Sequence, residues 1–343
     1  MEKATVTISY RDEGRGMGPF WDNHTIQMMT SAETHICYDG HSDIKDLVSF
    51  TEKIKAHPDR LPVFMTTAGS VPEADTAFGD DLLIIPGNTR KTEIKRPEVF
   101  KARSDFEAML LKDAINRGRP VLAICGGSWR LWQALGGTSF RQAPGHDYPA
   151  SHPRDDLRIA KNGAVIGNVM AHQVSVEKES ILNDAMALKK QTEALWVNSI
   201  HWQVIDDSQM PQNVMISARS ISHQPHIFLS WLFAFVSWLT RLLPLFNRFK
   251  PVYCEEHEVE AFETTTSAPM LGVQWHPEAF AAGGQGSRAQ KKLFSYMRDA
   301  GEAFKKKQVL LHALKASPYF FKRKEQSERT PPVLEPKPLI MEL

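Results

Sequence analysis

The stretch PVLAICGGSWRLWQALGG, Pro120 to Gly137, decides the fold. An apolar run of strand length ends at Cys125, two glycines follow, and an amphipathic helical pattern starts at once. A strand that turns sharply into a helix is the repeating joint of a parallel sheet covered by helices. The cysteine at this joint has two readings. It is a small hydrophobe of the core, or the turn holds a nucleophile, and the rest of the chain must decide.

Working outward, short apolar runs alternate with helical patterns through the first half. ATVTIS, LPVFMT (61–66), DLLIIPG (81–87) and PVLAIC read as strands. Between the last two lies SDFEAMLLKDAINRGRP. There Ser104 and Glu107 form a capping box, Phe106, Met109, Leu110 and Ala114 an apolar stripe, and Gly118 a stop. The expected class is α/β, with a central, mostly parallel sheet flanked by helices. In such sheets reactive groups collect at the carboxyl ends of strands. Cys125 and the Pro86-Gly87 turn both sit at such ends. The N-terminal stretch YRDEGRGMGPFWDNHTIQMM reads as a surface loop.

From about Asp156 the runs become shorter and more β-like: GAVIGNVM, HQVSVE, EALWVNSIHWQVI, NVMISARS, EVEAFET and MLGVQW. RAQKKLFSYMRDAGEAFKK reads as a final helix. The expected layout is one domain over residues 1–316 and a disordered tail over 317–343, rich in proline and charge.

Composition excludes several classes. The chain has 343 residues, 42% hydrophobic and 24% charged, with a formal net charge of +1. That is an ordinary soluble composition, with no whole-chain field for nucleic acid. Its three cysteines, Cys37, Cys125 and Cys254, are scattered, without the spacing of a disulfide framework or a zinc site. They point to a reducing, cytoplasmic location. The acidic start lacks the apolar core of a signal peptide.

A cysteine nucleophile needs a base and a positive environment. The strand–Cys–Gly–helix turn lifts the sulfur above the sheet and aims helix N–H groups at developing negative charge. In the comparable serine elbow, the N–H following the nucleophile contributes to the oxyanion hole, and Gly126 stands at that position. The base comes from LGVQWHPE, Leu271 to Glu278. His276 follows a strand-like run, Pro277 fixes the turn, and Glu278 is placed to hold the imidazole in one tautomer, as the carboxylate of a catalytic triad does.

At these residues the chain resembles a known family. AICGG, VNSIHWQ (197–203) and GVQWHPE occur in the order seen in class I glutamine amidotransferase-like proteins. Among the subgroups, the chain looks like the γ-glutamyl-γ-aminobutyrate hydrolases. LIIPGN, LGGTSFRQ and MAHQVSVEKESIL fit as well, so the resemblance spans roughly Leu61 to Phe280. It implies a flavodoxin-like fold with Cys125 as nucleophile, His276 as general base and Glu278 as the residue orienting it. It implies an oxyanion hole from the backbone of Gly126 and of the Gly87-Asn88 turn. His201 matches a histidine that the subgroup keeps near its substrate, or is a histidine hydrogen-bonded in a strand pair. Trp129 either lines the pocket or packs its helix against the sheet, and Gln203 is a further candidate for substrate contact. The resemblance implies no metal and no organic cofactor.

The chain also departs from the family. Asn88 stands where a second glycine is usual, and Gly126 where arginine is common. Trp129 replaces a glutamine, so substrate identity does not carry over.

Three functions compete. One is a cysteine hydrolase of a small γ-glutamyl amide or γ-glutamylated substrate, acting through a thioester. Another is a glutaminase passing ammonia to a partner enzyme. The third is a membrane-associated scaffold with a vestigial site. The last draws on HIFLSWLFAFVSWLTRLLPLFNRFK, within an expected insertion over 222–254. Its uncharged run from Ile227 to Thr240 would extend only about 21 Å as a helix, against a hydrocarbon core of about 30 Å. The segment is therefore expected to lie at a membrane surface or to form a homodimer contact, and not to span a bilayer.

Overall fold

Leu82–Ile85 and Val121–Ile124 are four-residue strands in which every side chain is buried. Such runs suit a parallel sheet covered on both faces. Their residues alternate between two cores. Leu82, Ile84, Leu122 and Ile124 feed one cluster, while Leu83, Ile85, Val121 and Ala123 feed the other. The strand period of two thus sorts a continuous apolar run into two layers.

The computed structural model of the chain describes residues 4–9, 25, 28–29, 32–38, 63–67, 80–87, 90–142, 158–159, 165–166, 172–188, 194–199, 201–221, 257–282 and 287–316. Its strands open with β1 (Thr5–Ser9), β2 (Glu33–Tyr38), β3 (Val63–Thr67), β4 (Leu82–Ile85) and β5 (Val121–Ile124). Shorter strands follow: β6 (Phe140–Gln142), β7 (Arg158–Ile159), β8 (Val165–Ile166), β9 (His172–Val176), β10 (Leu195–Val197) and β11 (Gln203–Ile205). Last come β12 (Val214–Ile221), β13 (Val259–Thr264) and β14 (Met270–Val273). The helices are α1 (Arg90–Lys95), α2 (Pro97–Arg117), α3 (Gly126–Ala134), α4 (Ile181–Met186) and α5 (Ser287–Ala316).

The main sheet runs β10-β9-β12-β13-β14-β5-β4-β1-β2-β3. From β14 to β3 all neighbours are parallel. Beyond β14 the ladder turns antiparallel through β13, β12, β9 and β10. The order β2-β1-β4-β5-β14 is the flavodoxin-like arrangement, with its switch point between β1 and β4. Leu110, Leu111 and Ala114 of α2 share one core with Leu131 and Trp132 of α3. Leu182, Ala185 and Met186 of α4 share the other with Leu293, Phe294 and Met297 of α5. The sheet is therefore covered on both faces.

Three local expectations are corrected. β2 is a parallel strand beside β1, in a stretch where the sequence pattern showed none. Helix α2 begins at Pro97, so Ser104 and Glu107 lie inside it. Ser104 Oγ donates to the Phe100 carbonyl one turn back, at 2.7 Å, and Glu107 enters a buried ion cluster. Met109 is 60% exposed, and Leu111 occupies the buried place beside Leu110. Gly118 does end α2, in the left-handed conformation that costs glycine nothing.

The chain divides into two compact units, Met1–Glu302 and Ala303–Leu343. The described part of the second is the end of α5, where Val309, Leu310, Leu311 and Leu314 are exposed. The 222–254 insertion and the 317–343 tail lie outside the described residues. Among those described, no helix is long and apolar enough to cross a membrane.

Candidate active site

The parallel alignment of β1, β4, β5 and β14 brings their carboxyl ends to one edge of the sheet. Ser9, Pro86-Gly87, Cys125 and His276 are the residues delivered there.

Cys125 has φ 51° and ψ −115°. A positive φ is unfavourable for a residue with a side chain, and it persists only where its surroundings enforce it. Here they do. The Cys125 N–H donates to the Val273 carbonyl of β14 at 2.7 Å, and the Cys125 carbonyl accepts from Ser128 N at 2.9 Å and Ser128 Oγ at 2.6 Å. Gly127 completes the turn by close approach. A Cβ there would lie 2.1 Å from the Ile85 carbonyl oxygen, so only glycine lets α3 start against β4.

His276 follows β14 by three residues, and Glu278 lies in the first turn of a 3-10 helix over Pro277–Ala282. His276 Nδ1 donates to Glu278 Oε1 at 2.8 Å. That fixes the tautomer and leaves Nε2 for the thiol. A side-chain hydrogen bond joins Cys125 to the ring. All three residues are buried. Burial alone would lower the imidazole pKa. The Glu278 carboxylate, the Cys125 sulfur and the two hydrogen bonds outweigh it and push His276 up to about 10. The site is therefore built to keep the imidazolium beside the sulfur at neutral pH.

Two supports of His276 carried no signal of their own in the sequence. Asn198, in the turn after β10, grips its backbone. Oδ1 accepts from His276 N at 2.8 Å, and Nδ2 donates to the His276 carbonyl at 2.9 Å. The neighbouring Trp275 is fully buried and donates from Nε1 to Gln290 Oε1 at 3.1 Å. Asn198 belongs to VNSIHWQ, where its reach to another segment could not be read.

Gly87 lies against Cys125 and His276. A Cβ at this position would stand 3.1 Å from Cys125 Cβ, 3.2 Å from His276 Cε1 and 3.5 Å from Cys125 Sγ. Its lack of a side chain therefore clears the space beside the sulfur. Gly126 follows Cys125 as the first residue of α3. Asn88 lies outside the described residues.

Trp129, His201 and Gln203, the candidates for substrate contact, are placed as follows. Trp129 is 7% exposed and stands edge-on to Trp202, ring centroids 5.1 Å apart. Its Nε1 donates to Gln274 Oε1 at 2.8 Å. It is a packing residue of the core that α2 and α3 share. His201 is fully buried, and its Nδ1 donates to the Gln203 carbonyl at 3.1 Å. Its Nε2 lies 3.8 Å from Glu260 Oε1, which His172 Nε2 approaches at 3.0 Å. Gln203 itself pairs with Gln142 in the β11–β6 ladder. No group of side chains able to hold a metal ion occurs among the described residues.

Comparison with known proteins adds the following. The family described as Peptidase C26 matches residues 84–222, a stretch that includes Gly87, Cys125 and Asn198 and ends before His276. No curated protein matches the chain. Among solved structures, the glutaminase domain of a Trypanosoma brucei CTPS with bound acivicin is 14% identical. That alignment covers 87% of this chain and 94% of the other, with a TM-score of 0.48. A glutamine amidotransferase from Thermotoga maritima is 13% identical over 96% of this chain and 93% of its own, with a TM-score of 0.39. A glutamine amidotransferase from Methylobacillus flagellatus is 12% identical over 88% and 96%, with a TM-score of 0.42.

Proposed function

We propose that this protein is a cysteine-dependent amide hydrolase that cleaves γ-glutamyl amide bonds through a γ-glutamyl thioester. One observation carries the proposal. Cys125, held at positive φ on the end of β5, hydrogen-bonds an imidazole on the end of the adjacent β14, and a buried carboxylate orients that imidazole. The Peptidase C26 match over 84–222 supports the cysteine-hydrolase class. The γ-glutamyl preference rests on the resemblance of AICGG, VNSIHWQ and GVQWHPE.

The Cys125 sulfur attacks the amide carbon, and the carbonyl electron pair moves to oxygen. Backbone N–H groups at Gly126 and in the Gly87 turn receive that oxyanion. His276 gives its proton to the nitrogen, the C–N bond breaks, and the amine departs. Water then loses a proton to His276 and attacks the thioester. Collapse of the second tetrahedral intermediate returns the sulfur and frees glutamate. One oxyanion hydrogen bond is worth about 3–4 kcal/mol, or roughly 10²–10³ in rate.

The test is a product screen over a panel of γ-glutamyl amides, comparing wild type with Cys125→Ala. Release of glutamate and amine by wild type alone supports the reading. Equal release by the variant overturns it.

A further inference from the structure

Beneath the two sources of oxyanion donors lies a buried ion cluster that the proposed chemistry does not use. Arg103 of α2 donates from Nη2 to the Pro86 carbonyl at 3.0 Å and to the Gly87 carbonyl at 3.1 Å. Its Nε donates to Glu107 Oε1 at 2.8 Å, and Ser9 Oγ donates to the same oxygen at 2.7 Å. The other oxygen, Oε2, lies 2.8 Å from Arg130 Nε. Arg130, on α3, reaches the Gly126 carbonyl from Nη1 at 3.4 Å and Ser104 Oγ from Nη2 at 3.0 Å. Its guanidinium also stacks on Phe100, 5.1 Å from the ring centroid.

Stability does not account for this arrangement. Arg103, Glu107 and Arg130 are all at least nine-tenths buried. Two guanidiniums share one carboxylate, and hydrophobic side chains of similar volume would hold such a core at least as well. Burial lowers Arg130 to about 10, with Glu107 opposing the shift and Arg103 adding to it, and at neutral pH it stays charged. What the cluster does achieve is orientation. In a trans peptide the carbonyl and the N–H point opposite ways. By holding the Pro86 carbonyl, Arg103 turns the Gly87 N–H away from itself.

We propose that Arg103, tied through Glu107 to Arg130, is a positioning residue that fixes the Pro86-Gly87 turn relative to the elbow at Gly126 and so sets the separation of the two oxyanion donors. This rests on the cysteine-hydrolase reading above. Because the cluster acts on backbone, its loss weakens steps that form an oxyanion and spares steps that need only the thiolate.

Two reagents separate these steps whatever the natural substrate. Acylation of Cys125 by p-nitrophenyl acetate passes through a tetrahedral oxyanion and expels p-nitrophenolate. Alkylation by iodoacetamide displaces iodide and forms none. In Arg103→Lys, which keeps the charge and loses the fork, acylation should slow by about 10–100-fold. Alkylation should stay within about two-fold of wild type. Ser9→Ala removes one hydrogen bond to Glu107, takes no charge out of the core, and should slow acylation by about five-fold. It carries the test should Arg103→Lys fail to fold. Acylation unchanged, or both reactions slowed in proportion, overturns the proposal. Wild-type Cys125 reacting no faster than glutathione with either reagent removes the hydrolase reading itself, and this proposal with it.

Discussion

Asn198 holds His276 by both ends of one amide, accepting from its backbone N–H at 2.8 Å and donating to its carbonyl at 2.9 Å. His276 is thus set in place from a different segment, through main chain, and its ring stays available for Cys125 and Glu278. Asn198→Ala leaves two buried backbone groups without their partners, at about 1–3 kcal/mol each. We expect a lowered Tm and a kcat reduced at least tenfold, roughly the cost of 1.4 kcal/mol in the transition state. Thermal unfolding together with steady-state kinetics checks both. An unchanged kcat would show that the ring needs no such clamp.

Glu278 is the main reason His276 stays charged. Since its folded value of about 10 lies above the ordinary 6.5, the protonated ring favours the folded chain. That contribution is present in full below pH 6.5 and is lost as pH rises through about 10. Glu278→Gln keeps the shape and removes the charge, so the His276 pKa should fall. NMR titration of the imidazole and the alkaline limb of kcat/KM should move to lower pH together. If the limb stays where it is in wild type, another group controls it.

Gly87→Ala should abolish turnover with little change in fold. The new methyl would sit 3.1 Å from Cys125 Cβ and 3.2 Å from His276 Cε1, tighter than ordinary contact. Either the thiol–imidazole hydrogen bond lengthens or the turn retreats from the elbow. Activity and circular dichroism measured side by side decide it. Full activity would mean that the turn has room the geometry does not show.

Trp129→Phe should act on stability. The change leaves Gln274 Oε1 without the indole N–H that it accepts at 2.8 Å in a buried site, a loss of about 1–3 kcal/mol. Tm should fall, while the ratio of kcat/KM values across a substrate panel stays constant. Altered ratios would return Trp129 to the pocket wall.

What could be read in the sequence, and what could not, divides by range of interaction. β4 and β5 are continuous apolar runs bounded by turn residues, and Gly118 ends α2 by its own conformational freedom, so local pattern suffices for them. Cys125 and His276 each end such a run, and the parallel pairing of β5 with β14 brings those ends together. Ser104 and Glu107 have the spacing of a cap, yet α2 begins at Pro97, and Glu107 finds buried partners in distant segments as well as on its own helix. Glu107 serves Ser9, ninety-eight residues away, as well as Arg103 and Arg130. Asn198 carries no local signal either, since its partner lies seventy-eight residues downstream. β2 is short and opens on Glu33, and its pairing on both sides with β1 and β3 holds it in the sheet. Trp129 could be assigned to pocket or core only once Trp202 and Gln274 were seen against it.

The central claim is that Cys125 carries the acyl group during turnover. The direct measurement is denaturing mass spectrometry of enzyme quenched during reaction with a γ-glutamyl amide, followed by peptide mapping. The account predicts a hydroxylamine-labile γ-glutamyl adduct on the peptide containing Cys125, absent from Cys125→Ala, which also releases no glutamate. Glutamate release that survives in Cys125→Ala, or turnover by wild type with no adduct on that peptide, would contradict it.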